Sequence, residues 1–473
     1  MSDTINPSSE DGEEDNREFI EINDKARTTI YFCLIFVSTF SSCDGGIIPQ
    51  QTQNIKTNFG KGDSLVGFFG SVDYIGRVIG AIIFAIIMGK MNRKMLLVFT
   101  LIFKALTLFV SIFTDNPFIN IISRGLSGIS QVFYTTYLPV WCDQYGKSSK
   151  KALMVTFVQL GNPFGVIIGY GLGMIIHMIM NSDNNLMEWR IAFAIEGIIL
   201  VICAFIIFSF KRKYFSQNFV LIDDNKGYEK KSENRKTDSI ISNFGIILCN
   251  KIFLFTTLSN SVAFFGMSVV QYWGENYMEK VLKMDTTPRF IAFGSLCLLG
   301  PILGMVFGGY ICSRLGGYGK RSSMIFIIIL TLSSTIISCI IAHTNTVFFI
   351  ITSWSYLFLI CATIPPESGI IISSLRSKLS GDGFALSNSI LNLFGSFPAS
   401  YIFSILSDLF QKKLAQEKIE KYEQYRYAWM ISMGYNFIGL LFIIIAGIFR
   451  FKIKGDLSNE EMNVKMIESN EES

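Results

Sequence analysis

Residues 117–143 read PFINIISRGLSGISQVFYTTYLPVWCD, a long apolar run that also contains Arg124, Gln131 and Asp143. As an α-helix this run is long enough to cross a bilayer, because a helix rises about 1.5 Å per residue and the hydrocarbon core is about 30 Å thick. An ionised side chain at the centre of that layer costs at least ~3 kcal/mol. The segment therefore predicts a membrane-spanning helix whose charged side chains have a function.

Similar apolar segments recur on both sides of this one. Half of the 473 residues are apolar and only 16% are charged, a composition that indicates a polytopic membrane protein. We therefore predict an all-α membrane protein with twelve transmembrane helices. The predicted spans are 28–49, 64–89, 94–113, 117–143, 150–179, 189–210, 246–274, 288–313, 321–342, 346–373, 384–411 and 427–450.

The largest loop divides these spans six and six, which predicts two pseudo-symmetric six-helix bundles. The predicted domains are a disordered cytosolic tail at 1–27, a bundle at 28–210, a cytosolic linker at 211–245, a bundle at 246–451 and a disordered cytosolic tail at 452–473. Two such halves around a midplane substrate are typical of a membrane transporter.

Lysine and arginine are concentrated in the loops on one side of the predicted membrane, including the central linker. Basic loops usually remain in the cytosol, so both termini are predicted to be cytosolic. Residues 1–25 are acidic and lack an apolar core, so the first span is expected to act as the insertion signal.

Several classes of protein are disfavoured by what the sequence lacks. The nine cysteines form no C-x-x-C pair, the only histidines are His177 and His343, and there is no H-E-x-x-H, G-x-S-x-G or nucleotide-binding G-x-x-x-x-G-K-[ST] motif. No basic patch alternates with aromatic residues. We expect a non-enzyme with no cofactor, no metal site and no nucleic-acid partner, which acts as a monomer in the lipid bilayer.

Two loops carry related basic motifs at equivalent places in the two halves. The chain reads MGKMNRK over 88–94 and GYICSRLG over 309–316. Both resemble the loop signature of the major facilitator superfamily, although its aspartate is replaced by Gly89 and Ser313. The resemblance implies a cytosolic latch that stabilises the outward-open state, formed here by Lys90, Arg93, Lys94, Arg314, Lys320 and Arg321.

A narrower resemblance rests on the first half. Arg124, Gly128, Tyr134 and Pro139, the run GNPFG over 161–165 and the segment WRIAF over 189–193 resemble the spinster-like lysolipid and sphingolipid transporters. An organic-anion branch of the same superfamily also uses a W-R-x-x-F segment. The resemblance implies a lysolipid-like substrate and a location in the plasma membrane or the endolysosomal membrane.

The spinster pattern also implies site residues. It matches an acid in the first span to Asp44 and an arginine to Arg124, but its acid seven residues later is Gln131 and its arginine after Asp44 is Gly45. In that family these acids link proton movement to the substrate head group. Either proton coupling uses other groups here, or the protein is a uniporter.

The residues themselves support a site at Asp44. Burial favours the neutral acid and Arg124 favours the carboxylate, and this competition lets a carboxyl group exchange a proton. The alternative is a fixed ion pair. Gln131 cannot titrate but can donate and accept hydrogen bonds to a polar head group, and Tyr134 lies in the same motif.

Asp73 and Arg77 lie four residues apart near the middle of the second predicted span. This spacing permits an internal salt bridge that reduces the cost of inserting both charges. The alternative is that Arg77 faces a central cavity and binds an anionic head group, with Asp73 as its resting partner.

Other polar residues in the spans are weaker candidates. Glu367 follows two prolines that permit a kink and a gate. Asn260, Gln271, Asn388 and Asn392 are predicted to line the cavity, or to hold helices together. Lys104 and Glu196 are expected to pair with each other or to extend towards the membrane surface, and are not assigned to the site.

Glycines recur every fourth residue on two spans, at Gly161, Gly165 and Gly169 and at Gly300, Gly304 and Gly308. Such stripes let two backbones approach closely. We predict that they form a sliding contact between the fifth and eighth helices of opposite halves; static packing would use the same residues.

Three functions are consistent with these patterns. The first is a secondary active or facilitative carrier of an amphipathic lysolipid or sphingolipid-like molecule, with or without proton coupling. The second is a carrier of a small organic anion or another polar solute. The third is a receptor that binds its ligand without moving it across the membrane.

Overall fold

The computed structural model describes residues 24–60, 62–87, 91–145, 151–180, 187–215, 244–317, 320–342, 345–375, 380–417 and 423–452. Its regular elements, within these ranges, are all helical. The first six spans are Asp24–Gln50, Asp63–Ile87, Arg93–Phe113, Pro117–Tyr145, Lys151–Met180 and Glu188–Ser209. The last six are Lys251–Lys280, Thr286–Arg314, Arg321–Ile340, Thr346–Ser373, 380–417 and Glu423–Lys452.

Eleven of these described helices are apolar and long enough to cross a membrane. The remaining span, Pro117–Tyr145, is 29 residues long and carries Arg124 among its polar residues. Shorter elements are the helix Thr52–Phe59, a 3-10 turn at Arg212–Phe215 and a helical segment at 244–248. The predicted twelve-helix fold is confirmed.

The two halves use the same helix pairs. In the first half the second span packs against the fourth, the third against the sixth and the first against the fifth. In the second half the eighth packs against the tenth, the ninth against the twelfth and the seventh against the eleventh. The same helix pairs therefore occur in both halves, and this is the pseudo-symmetry that the six-plus-six division predicts.

Both glycine stripes pack inside their own bundle, so the prediction that they join the fifth span to the eighth is wrong. A Cβ on Gly165 would lie 2.0 Å from the carbonyl oxygen of Thr39 in the first span, and one on Gly308 would lie 1.9 Å from that of Ala362 in the tenth. The fifth and eighth spans meet instead through large rings, since Tyr170 stacks on Phe290 with centroids 5.2 Å apart.

The first span is not the continuous helix that the sequence predicts. A turn at 41–43 separates Asp24–Phe40 from a second helix, Asp44–Gln50. The eleventh span is also irregular, because its middle, Leu391–Ser396, is a π-helix. Apolar patterning reports that a segment is buried in lipid, but it does not report such local breaks.

Hydrogen bonds between the two halves lie at one end of the described bundle. The backbone N–H groups of Asp63 and Ser64 donate to the two carboxylate oxygens of Asp408, at 3.0 and 2.8 Å. The Gln53 amide donates to Asn276 Oδ1 at 2.9 Å. We call this end, marked by Asp63, Asp408 and Asn276, the closed end. By the distribution of basic loops it is predicted to be the non-cytosolic end.

The predicted tails and the central linker lie largely outside the described residues. The first helix begins at Asp24, four residues before the predicted start. The turn Arg212–Phe215 packs against its own half, where the Trp141 indole N–H donates to the Tyr214 carbonyl oxygen at 2.9 Å. The remaining domain boundaries stay predictions.

Candidate functional site

Asp44 is the centre of a buried group of charges in the first half. It follows the turn at 41–43, so it starts a helix in the middle of the span and its side chain is only 2% exposed. Its Oδ2 accepts a hydrogen bond from the Arg124 guanidinium and lies 3.0 Å from Lys104 Nζ. The structure therefore brings Asp44 and Arg124 together.

Lys104 belongs to this group, although the sequence patterns do not assign it to the site. Its side chain is fully buried, and Nζ donates to the Ser41 carbonyl oxygen and to Gln131 Oε1 at 3.2 Å. The turn exposes the Ser41 carbonyl, because that oxygen accepts no backbone hydrogen bond from the interrupted helix. Sequence could have indicated this role, since a cation in the middle of a span needs an acidic partner.

Glu196 completes what we call the central charged cluster, defined as Asp44, Lys104, Arg124, Gln131 and Glu196. Its Oε1 lies 3.8 Å from Lys104 Nζ, and neither of its carboxylate oxygens has a hydrogen-bond partner. The expected contact between Lys104 and Glu196 is thus present. It is longer than the 3.0 Å contact between Lys104 and Asp44.

Gln131 and Tyr134 border the cluster on the fourth span. The Tyr134 hydroxyl donates to the Ser41 carbonyl oxygen at 3.3 Å, which is the same oxygen that Lys104 binds. Gln131 uses its oxygen for Lys104, while its buried Nε2 has no hydrogen-bond partner. That amide N–H group is available to a ligand.

Asp73 and Arg77 form the internal salt bridge that their spacing permits, with Arg77 Nη2 2.8 Å from Asp73 Oδ2. The Arg77 guanidinium also lies 4.9 Å from the ring centroid of Tyr74. Its side chain is 20% exposed, compared with 5% for Arg124. Arg77 is therefore the more accessible of these two arginines.

The second half contains a separate buried acid on the tenth span. Ser259 Oγ donates to Glu367 Oε1 at 3.0 Å, and Glu367 Oε2 has no hydrogen-bond partner. Asn260, the residue after Ser259, is also buried, and its Oδ1 has no hydrogen-bond partner. The helix Thr346–Ser373 continues through Pro365 and Pro366.

A small apolar cavity, partly open to its surroundings, lies between the first, fifth, seventh and eighth spans. It is lined by Gly45, Gly46, Tyr170, Gln271 and Phe293, among others. Gly45 and Gly46 directly follow Asp44, so the cavity adjoins the central charged cluster. Gln271 lines this cavity, and its role in substrate binding stays a prediction.

The two asparagines of the eleventh span do not join the cluster. Asn388 is exposed, and the Asn392 amide donates to the Asn388 carbonyl oxygen at 2.9 Å. Asn392 lies in the π-helical segment and Asn388 lies three residues before it. Short π-helical segments are common at functional sites. Their assignment to the substrate path stays a prediction.

The predicted latch residues contact their own halves. Lys94 Nζ donates to the carbonyl oxygens of Phe208 and Phe210, at 2.8 and 2.6 Å, and so caps the end of the sixth span. Arg93 lies over the Tyr137 ring. Arg314 donates to the Tyr310 hydroxyl and Arg321 to the Phe451 carbonyl, whereas Lys320 is exposed. Lys90 lies outside the described residues, and a latch in another state stays a prediction.

Comparison with known proteins agrees with this architecture. Residues 30–400 match the Major Facilitator Superfamily. The chain is 22% identical over 442 residues to protein spinster homolog 1 of Xenopus tropicalis, covering 89% of this chain and 80% of the relative. It is 21% identical over 425 residues to the sphingosine-1-phosphate transporter SPNS2 of Xenopus tropicalis, covering 84% and 77%.

A solved structure shows the same fold. The inward-facing, unoccupied structure of a bacterial homolog to the human lysosomal transporter spinster superposes with a TM-score of 0.72 at 13% identity, covering 91% of this chain and 98% of that one. The resemblance to spinster proteins is confirmed. The protein is a membrane transporter that belongs to the Major Facilitator Superfamily.

Proposed function

We propose that the protein carries an amphipathic lysolipid or sphingolipid-like molecule with an anionic head group across the membrane by alternating access. The observation that carries this proposal is the adjacency of a charged cluster and an apolar cavity. Asp44 belongs to the cluster, and the next two residues, Gly45 and Gly46, line the cavity. A molecule with a charged head and an apolar tail is complementary to both surfaces.

Arg77 is the proposed contact for the head group. Its guanidinium is partly exposed, and a planar guanidinium can bind a phosphate or carboxylate through two hydrogen bonds. Asp73 holds Arg77 when no ligand is present, and Gln131 offers its unpaired amide to the same head group. Tyr134 and Arg124 hold the surrounding backbone and Asp44 in place.

The apolar cavity is the proposed site for the tail. Its lining is almost entirely apolar apart from Gln271 and the Tyr170 hydroxyl, so the part of a hydrocarbon chain that enters it loses little by leaving lipid. The relative from Xenopus tropicalis named as a sphingosine-1-phosphate transporter supports a phosphate head on a single long chain.

Asp44 is the proposed coupling residue, because its carboxylate contacts both Lys104 and Arg124 and a change in either contact rearranges the cations of the site. Glu367 and Asn260 are the proposed polar contacts from the second half, since each has an unpaired oxygen. Whether transport is proton-coupled or uniport is decided by the flux experiment below.

The runner-up is a carrier of a small organic anion. It is favoured by the arginine pair alone, Arg77 and Arg124, and it makes no use of the apolar cavity. We further propose that both termini are cytosolic, because the basic loops favour this orientation. The protein is proposed to work as a monomer in the plasma membrane or an endolysosomal membrane, and the similarity to a homolog of a lysosomal transporter supports the second location.

Flux into proteoliposomes tests the function. Purified protein is assayed with sphingosine-1-phosphate, lysophosphatidylcholine and a labelled dicarboxylate, with and without a pH gradient, alongside Arg77→Ala, Arg124→Ala and Asp44→Asn. We expect transport of a lysolipid, a loss of more than tenfold in Arg77→Ala and a comparable loss in the other two variants. Transport of the dicarboxylate but no lysolipid would establish the runner-up instead. Saturable lysolipid binding without flux would indicate a receptor.

A further inference from the structure

The carboxyl group of Glu196 is buried at the centre of the first half without a hydrogen-bond donor. The residue is 1% exposed and both oxygens are unpaired. The nearest cation is Lys104, whose Nζ lies 3.8 Å from Glu196 Oε1. This distance permits an ionic contact but no hydrogen bond.

Lys104 has no hydrogen left for Glu196 in this state. An ammonium group has three N–H donors. They are directed at the Ser41 carbonyl oxygen, at Gln131 Oε1 3.2 Å away and at Asp44 Oδ2 3.0 Å away. A carboxylate at Glu196 would therefore be a buried charge without a donor, which is the costly arrangement, whereas a neutral carboxylic acid carries no net charge.

The charges around Glu196 come from several spans. Cys43 and Asp44 face it from the first, Lys104 from the third, Arg124 from the fourth and Asp73 from the second, and Tyr134 contacts the same Ser41 carbonyl. The Asp73–Arg77 pair adds no net charge. With Glu196 neutral, Lys104 and Arg124 exceed Asp44 by one positive charge, and with Glu196 ionised the cluster is neutral.

We propose that Glu196 is the proton-binding group of the transport cycle and that Lys104 moves between Asp44 and Glu196. When the site opens to water, a proton adds to a Glu196 carboxylate oxygen and forms an O–H bond. Lys104 then leaves Glu196 for Asp44, which is the arrangement observed. Proton release reverses these steps, because the freed carboxylate attracts Lys104 away from Asp44.

Proton binding therefore prepares the site for an anion. The protonated cluster has one positive charge in excess, and this charge is lost when Glu196 ionises. An anionic head group and a proton then bind cooperatively, and each raises the affinity for the other by the same factor. The identity of the anion in this step rests on the proposed function. The titration of Glu196 does not depend on that function.

Infrared spectroscopy of the full-length protein in lipid nanodiscs tests the titration directly. The difference spectrum between the native protein and Glu196→Gln, in which the bands of other buried acids such as Glu367 cancel, is expected to show a protonated-carboxyl C=O band that disappears as the pH rises. Glu196→Gln removes this band and Glu196→Asp retains it. Glu188→Gln is the matched control, because Glu188 is a buried acid on the same span that already accepts from Asn54 at 2.8 Å. A difference spectrum between the native protein and Glu196→Gln that contains no titrating band overturns the proposal.

Flux of lysophosphatidic acid into proteoliposomes tests the coupling. We expect an acidic exterior to stimulate flux by the native protein and by Glu188→Gln, and to have no effect on Glu196→Gln. Stimulation that survives in Glu196→Gln sinks the proposal while leaving the lysolipid carrier intact. If neither the native protein nor any variant moves a lysolipid, the proposed function fails. The infrared experiment then still tests whether Glu196 binds and releases a proton.

Discussion

At the scale of single residues, the central charged cluster shows which parts of a membrane site sequence reveals. Asp44 and Arg124 stand out as charges in apolar runs, and the structure brings them into contact. The place of Lys104 depends on the turn at 41–43, which turns the Ser41 carbonyl and Asp44 towards the third span. No periodicity in the sequence reports that turn, so the contact of Lys104 with Glu196 could be predicted but its shorter contact with Asp44 could not.

Replacing Lys104 by methionine is expected to destabilise the protein by about 3–5 kcal/mol, because it leaves the buried Asp44 carboxylate with one cation and the Ser41 carbonyl and Gln131 without their ammonium donor. The measurement is the free energy of unfolding in detergent, or the corresponding fall in Tm. Lys412→Met is the control, since Lys412 is exposed and surface changes usually stay within about 0.5 kcal/mol. Equal Tm values for the two variants would show that the buried ammonium has no structural role.

At the scale of helices, hydropathy predicted the twelve spans and glycine spacing predicted close contacts, but not which helices make them. The stripe at Gly161, Gly165 and Gly169 faces the first span, and Gly300 to Gly308 faces the tenth. A glycine permits close approach to any backbone, so its partner is set by the packing of the whole bundle. The same limit applies to the π-helix in the eleventh span.

Two glycines of the fifth span give a matched test of this packing. A Cβ on Gly169 would lie 1.9 Å from the Cys43 carbonyl oxygen, whereas a Cβ on Gly171 would have no neighbour within 4 Å. Gly169→Ala is expected to separate the fifth and first spans and to lower stability by about 1–3 kcal/mol. Gly171→Ala is expected to be neutral or stabilising by up to about 1 kcal/mol.

Thermal denaturation of both variants in the same detergent is the measurement. A Gly169→Ala protein as stable as Gly171→Ala would contradict the close contact between the two spans.

At the scale of the whole molecule, the two halves were predicted but their relative position was not. The closed end is held by Asp408 from the second half, which accepts the first backbone N–H groups of the second span. Asp63 strengthens this end, because Ser407 and Tyr425 donate to its Oδ2 at 3.1 and 3.2 Å. These contacts must break when the carrier opens there. Hydropathy and charge patterns are the same in both states, so the sequence cannot report which state the chain adopts.

Asp408→Ala is expected to favour opening of the closed end. A helix cap contributes about 1 kcal/mol, so its loss shifts the opening equilibrium roughly fivefold. Hydrogen–deuterium exchange of Thr52–Phe59 and of the segment around Tyr272 measures this, because both lie at the closed end without contacting Asp408.

The control is Asp115→Ala, which removes an acid that pairs with Arg190 inside the first half. Faster exchange in both variants would indicate general loosening rather than release of the closed end.

The interruption of the first span has an implication for genetics. The Ser41 carbonyl oxygen binds both Lys104 and Tyr134, so part of the cation's coordination is peptide backbone. A Ser41→Gly substitution removes the side chain but leaves that backbone oxygen in place, so it does not test the contact. Residues of high helix propensity at 41–43, alanine included, favour a straight helix that would withdraw the oxygen from Lys104 and Tyr134, and they are thus expected to impair the carrier although every charged side chain is kept.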